Sequence, residues 1–313
     1  MAKGSEGPRA AVFAYHEMGV VGLERLEANG YDVRLLVTHR PPEGEEVWYR
    51  LPEEWAARRG VRTAYGEELT DGELEALVCE AGADFIFSFH YRKLLSGRVL
   101  AAARRGAYNL HPSLLPAYRG RAPINWVLVN GERETGVTLH VMVERADAGP
   151  IAGQRRVPIE FRDTALTLYR KLAAEAAALL DETLPRIADG TVELKEQDPA
   201  TGSYYGRRTP EDGRFEWDMP AGRIYNLVRA VTKPWPGAFC VLPDGRRLVV
   251  WTAVPAGPTG GPPGNWKRDS SGFVRVMCSD VSLRLHEVEL DGETASGRRI
   301  AAFFTEKGIE RLA

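Results

Sequence analysis

The apolar runs of this chain change their period once, at about residue 214, and that change limits the architecture more than any other feature. Before it, strand-type runs alternate with amphipathic stretches of helix length. The run 10–16 (AAVFAYH) leads into a helical pattern over 20–30, closed by a glycine suited to the position just past a helix end. The run 31–39 is the next strand, helical material follows at 53–60 and 70–80, and 83–91 (ADFIFSFHY) reads as a buried strand. A helix over 96–106, a short strand at 107–110, a helix at 123–130, a strand at 135–143 and a long helix from a cap at Asp163 to Gly190 complete this half. Such alternation predicts a Rossmann-like α/β domain, a mostly parallel sheet with helices on both faces. Ligands of such sheets bind beyond the carboxyl ends of the strands. His16, His90, Asn109 and His111 should therefore gather at one edge.

Residues 195–213 (KEQDPATGSYYGRRTPEDG) have lost all periodicity and read as a linker. Beyond them GAFCVL, RRLVVWTAV, FVRVMC, VSLRLHEVEL and RRIAAFF are short β-type runs between turn signals such as PDG and LDGE, which predicts a smaller β-barrel-like domain. The expected plan is a disordered leader over 1–9, a catalytic domain over 10–194, the linker, and a C-terminal β domain over 214–313.

Composition narrows the function classes. From Tyr205 onward there are 16 Lys/Arg against 13 Asp/Glu, only about +3, weaker than a tRNA-binding platform suggests. The expectation is a small-molecule partner, with no nucleic acid and no membrane. Three scattered cysteines, Cys79, Cys240 and Cys278, exclude a disulfide framework and any CxxC metal motif. No apolar run approaches the ~18–20 residues of a membrane span, and the polar start MAKGSEGPRA has no signal-peptide core. A reducing, cytoplasmic setting is expected. No GxGxxG follows the first strand, no P-loop or GxSxG occurs, and the six histidines show no HExxH or HxxxH arrangement, so no metal is expected.

Asn109 and His111 stand two apart in a strand, so their side chains share a face. An amide donor beside an imidazole is what acyl transfer to an amine requires. The donor stabilises the oxyanion of a tetrahedral intermediate, and the imidazole handles the proton the amine must lose. Asp147, in ERADAGPI just beyond a strand, could orient such an imidazole and favour its charged form. Each also has a plainer reading: His111 as a loop histidine, Asn109 as a turn cap, Asp147 as an Asx turn. Arg119 and Arg121 flank Gly120 and could bind a carboxylate or phosphate, or be solvated loop residues. His140, in an alternating strand, reads as a packed histidine. Arg207, Arg208 and Arg229 could hold a diphosphate or fix a domain junction.

Read as one pattern, NLHPSLLPAYRGRAPINW (109–126) followed by GVTLHVMVERADAG (136–149) resembles the signature of the folate-dependent formyltransferases. That family's catalytic Asn, His and Asp would fall on Asn109, His111 and Asp147. The resemblance implies 10-formyltetrahydrofolate as formyl donor and no metal. It also implies a pterin pocket lined by Lys93, Leu94, Leu95 and by Val143, Glu144, Arg145 and Ala146, with Arg121 touching the folate. Within the family, VFAYHEMGVVGLERLEANGYDV, FSFHYRKL, YGRRTPEDG and NLVRAVTKPWPGAF look like the sugar-nucleotide branch. The likeness is to the formyltransferase half of the bifunctional polymyxin-resistance proteins of lipid A modification, which formylates UDP-4-amino-4-deoxy-L-arabinose. The C-terminal domain would then be a barrel of the oligonucleotide-binding (OB) type. A methionyl-tRNA formyltransferase and a formyltetrahydrofolate hydrolase share the trio and are the alternatives.

Overall fold

A computed structural model describes residues 7–44, 47–258 and 260–312. Residues 1–6 of the expected leader lie outside the described residues, and Arg9, its last member, already opens the first strand. The chain divides into two compact units, one of Met1–Pro123, Glu134–Pro158 and Tyr169–Tyr205, the other of Ile124–Arg133, Ile159–Leu168 and Gly206–Ala313.

In the first unit, β1 (Arg9–Ala14), β2 (Asp32–Thr38), β3 (Arg62–Tyr65), β4 (Phe85–Phe89) and β5 (Gly106–His111) are parallel. A two-residue β6 (Arg119–Gly120) stands apart from them, while β7 (Glu134–Val141) and β8 (Ile151–Pro158) extend the sheet antiparallel. The sheet order is β3-β2-β1-β4-β5-β7-β8. Its helices are α1 (His16–Ala28), α2 (Pro52–Ala57), α3 (Asp71–Glu80), α4 (Gly97–Ala101) and, from Tyr169 onward, α6 (Ala165–Asp189), while α5 (Pro123–Val129) belongs, apart from Pro123, to the second unit.

Every residue of β4, FIFSF, is buried, as befits a central strand covered on both faces. On one face Ala11, Phe13, Leu35, Val37 and Ile86 pack against Leu74 and Val78 of α3 and Val99 of α4. Thr70 starts α3 with a capping box to Glu73. On the other face α1 approaches so closely that a Cβ at Gly22 would lie 2.2 Å from the Phe89 ring. The strand β8, unforeseen in the sequence, is a half-exposed edge whose Arg155 pairs with Glu175 and Glu182 of α6. Arginines at an edge dilute the alternation by which strands are recognised.

The non-periodic segment is ordered at its start. Lys195 pairs with Ile151, and β9 (Tyr204–Tyr205) runs parallel to β6.

The second unit holds a six-stranded antiparallel sheet: β10 (Ala238–Val241), β11 (Arg247–Ala256), β14 (Ser282–Leu290), β13 (Val274–Met277) and β12 (Trp266–Arg268) in that order, with β15 (Glu293–Ser296) also on β14. It also contains α7 (Ala221–Val231) and α8 (Arg299–Glu306). The run RRIAAFF, expected as a strand, is therefore a helix. Its buried Ile300, Phe303 and Phe304 sit at i, i+3 and i+4, the spacing of one helical face. Among the described residues no helix is long and apolar enough to cross a membrane.

Candidate active site

The carboxyl ends of β1, β4 and β5 carry His16, His90 and the Asn109/His111 pair, as the parallel register requires. Backbone strain is concentrated there: His16, His90, Tyr118 and Asp147 all have φ between 52° and 65°, where side chains other than glycine are uncommon.

Asp147 is the meeting point. Its Oδ1 lies 3.4 Å from Asn109 Nδ2, 3.4 Å from His140 Nε2 and 3.6 Å from His111 Nδ1. Its Oδ2 accepts a 2.8 Å bond from the Gly120 N–H. The main chain at Asp147 is clamped as well. Its carbonyl accepts from Arg119 Nε and Gln197 Nε2, and Arg119 Nη2 donates to Gln197 Oε1 at 2.7 Å. Arg119, offered by the sequence as an anion ligand, is instead buried and spent on this clamp.

Hydrogen-bond partners settle the ring tautomers, since a carbonyl can only accept. His111 Nε2 is 2.8 Å from the Tyr118 carbonyl and so carries the proton, leaving the Nδ1 lone pair facing Asp147. His140 Nδ1 is 2.8 Å from the Val141 carbonyl and carries its proton. His140 Nε2 lies 3.1 Å from Asn109 Nδ2 as well as 3.4 Å from Asp147 Oδ1. The sequence missed this contact. His140 reads as a packed residue in one strand, but the antiparallel register sets it directly opposite Asn109.

Burial pushes the His111 imidazole below its ordinary value, and His140 adds to this, while Asp147 and the Tyr118 carbonyl work the other way. His111 is therefore neutral near pH 7. Burial would raise the Asp147 carboxyl, but His111, His140 and the Gly120 N–H outweigh it and hold the group well below the usual carboxylate range. The cluster thus presents an amide donor, a neutral imidazole with a free lone pair, and an anion placed to stabilise that imidazole once protonated. Such a set can transfer an acyl group to an amine.

A pocket of about 350 Å3 is lined by Asp71, Leu94, Leu95, Ser96, Gly97 and Glu144. It brings together three of the residues expected at a pterin site, Leu94, Leu95 and Glu144. Leu94 is 72% exposed and the buried Ser96 hydroxyl has no partner among the described residues. The other expected residues lie outside this lining. Lys93 Nζ donates to the Gly66 carbonyl, Arg145 lies over the Tyr204 ring, Ala146 O accepts from Tyr204 Oη, Val143 is exposed, and Arg121 reaches the Arg92 carbonyl at 3.4 Å. In the second unit Arg229 is bound to Asn226 and to the carbonyls of Glu160 and Asp163, a structural use. Arg208 lies over Trp126 and donates to the Asp212 carbonyl.

Comparison with solved structures finds the same fold at low identity. An N-formyltransferase from Helicobacter canadensis, solved with folinic acid and dTDP-3-aminofucose, matches at 18% identity and a TM-score of 0.68, over 89% of this chain and 98% of that one. WlaRD, a sugar 3N-formyl transferase solved in the presence of dTDP and 5-N-formyl-THF, matches at 16% and 0.66, over 93% and 100%. Glycinamide ribonucleotide transformylase 1 from Symbiobacterium toebii matches at 24% and 0.54, over 63% and 98%. The formyl transferase family model covers residues 7–184, and that of the formyl transferase C-terminal domain covers 207–304. With more than half of its length matched by the first of these, the chain belongs to the formyl transferase family.

Proposed function

We propose that this formyl-transferring enzyme moves a formyl group from 10-formyltetrahydrofolate to the primary amine of a nucleotide-linked amino sugar, with UDP-4-amino-4-deoxy-L-arabinose as the acceptor. The observation that carries the reading is the convergence of Asn109 Nδ2, His111 Nδ1 and His140 Nε2 on one oxygen of Asp147. The folate, when bound, supplies the formyl carbon, to which the amine nitrogen bonds as folate N10 leaves. Asn109 donates to the oxygen that gains charge. His111 Nδ1 takes the proton the amine gives up and returns it to the leaving nitrogen. Asp147 stays ionised throughout and stabilises the imidazolium between those two moments.

The 350 Å3 pocket has the size of a small-molecule site, typically ~300–1,000 Å3. It offers a folate ring an exposed Leu94 and the Glu144 carboxylate. The ligands named for the Helicobacter canadensis protein and for WlaRD support both the folate and the nucleotide-sugar parts of the reading. The test is tetrahydrofolate release with UDP-4-amino-4-deoxy-L-arabinose, with methionyl-tRNA and with no acceptor. Turnover confined to the sugar is expected. Turnover confined to the tRNA, or formate release without any amine, would replace this acceptor by a tRNA or by water.

A further inference from the structure

The loop that carries Leu94 and Leu95 into the pocket of about 350 Å3 leaves β4 at His90, whose φ is 60°. Two bonds tie this loop back to the first unit. One is made by its own Lys93, whose Nζ reaches the Gly66 carbonyl at 2.7 Å. The other runs through His39, just past the end of β2. The parallel register sets Thr38 opposite Tyr65, so His39 and the turn Gly66–Glu68 leave the sheet side by side. His39 is buried, stacked on the Tyr91 ring with centroids 4.4 Å apart, and Tyr15 meets it edge-on at 5.7 Å. Its Nε2 lies 3.2 Å from the Arg92 backbone nitrogen and its Nδ1 3.0 Å from Glu67 Oε2. A backbone N–H can only donate, so Nε2 holds the lone pair and Nδ1 carries the proton. Glu67 is fixed in turn, because its Oε1 accepts from the Arg40 N–H at 2.7 Å.

A relay from carboxylate to imidazole to main chain works in one protonation state. A second proton would sit on Nε2 and face the Arg92 N–H, donor against donor. Burial disfavours that proton and the charges of Arg92 and Lys93 add to this, whereas Glu67 favours it; the balance lies below the ordinary value, so His39 is neutral near pH 7. The Tyr91 hydroxyl, pushed up to about 12 by burial, brings no charge to the ring it stacks on.

We propose that His39 and Glu67 are positioning residues for the formyl donor: through the Arg92 N–H they hold the 92–95 backbone in the shape that walls the 350 Å3 pocket. Neither lines that pocket, so both act through the loop alone. The assignment rests on the folate reading above and names what keeps that site in shape.

The test is calorimetric titration of the full chain with 5-formyltetrahydrofolate, from about pH 7.5 down to about pH 5, across the range where a histidine titrates. His39→Leu should weaken binding about fivefold at the upper end, the size of one net hydrogen bond. His39→Gln keeps a donor and an acceptor without a titrating group. It should recover most of that affinity and lack the extra loss that the intact chain shows in acid. Glu67→Gln removes the charge that favours the second proton, so the acid loss should move to lower pH, a shift that a merely structural glutamate would not produce. The two glutamine variants carry the test even where His39→Leu does not fold. If the intact chain binds the folate and its acid loss persists unchanged in His39→Gln and Glu67→Gln, the positioning role is overturned while the folate reading stands. An intact chain that does not bind 5-formyltetrahydrofolate overturns both.

Discussion

Three side chains on two strands surround one oxygen of the Asp147 carboxylate, and each can be removed singly. Asn109→Ala deletes the amide donor and should lower kcat by ~10²–10³, the cost of an oxyanion donor, in an assay of tetrahydrofolate release. An unchanged kcat would remove Asn109 from the reaction. Because His111 is held below its ordinary value, the acid limb of kcat/KM against pH should fall below ~6.5. Asp147→Asn removes the charge that favours the imidazolium, so that limb should move to still lower pH as the rate drops. A limb that moved upward would contradict the assigned pairing. Asn109 and His111 were legible as a pair because residues two apart in a strand share a face. His140 was not, because what brings it to Asn109 is the register between two strands, and register is set by the whole sheet.

At the scale of elements, the short pairing of β6 with β9 positions the Gly120 N–H that holds Asp147. Gly120 has φ +94°, and a Cβ there would come within 2.3 Å of the Tyr205 carbonyl. Gly120→Ala should therefore push the two strands apart, withdraw the N–H and depress kcat, with the far-UV spectrum unchanged. Full activity in that variant would show that the carboxylate holds its place without this bond. In the other sheet, Phe304 of α8 is fully buried, and Phe304→Ala should cost ~3–5 kcal/mol, measured by denaturant unfolding. The parallel strands and their helices were legible because apolar runs and caps mark them. The helix α8 was not: in seven residues, two aromatics after two alanines satisfy strand and helix patterns alike.

For the molecule as a whole, a buried neutral histidine makes stability depend on pH. The unfolded chain protonates His16 below ~6.5, but the native chain resists until about 2, so stability is complete above 6.5 and falls as the pH drops through that window. Between pH 6.5 and 5 this one residue should remove about 2 kcal/mol. His16→Asn, a residue that tolerates the positive φ, should flatten that part of the profile in urea titrations at the two pH values. An identical slope in the variant would mean that His16 gains its proton in the native state. The second unit draws on three separate stretches of chain, and two of them, 124–133 and 159–168, precede its main body by many residues. Asn125 Nδ2 donates to the Ala230 carbonyl, Phe161 stacks on Tyr225, and Arg229 holds the carbonyls of Glu160 and Asp163. On the ribosome, those early stretches emerge well before their partners exist. A chain released at residue 205 would carry two orphaned segments, so no single cut in the gene can yield both halves in native form.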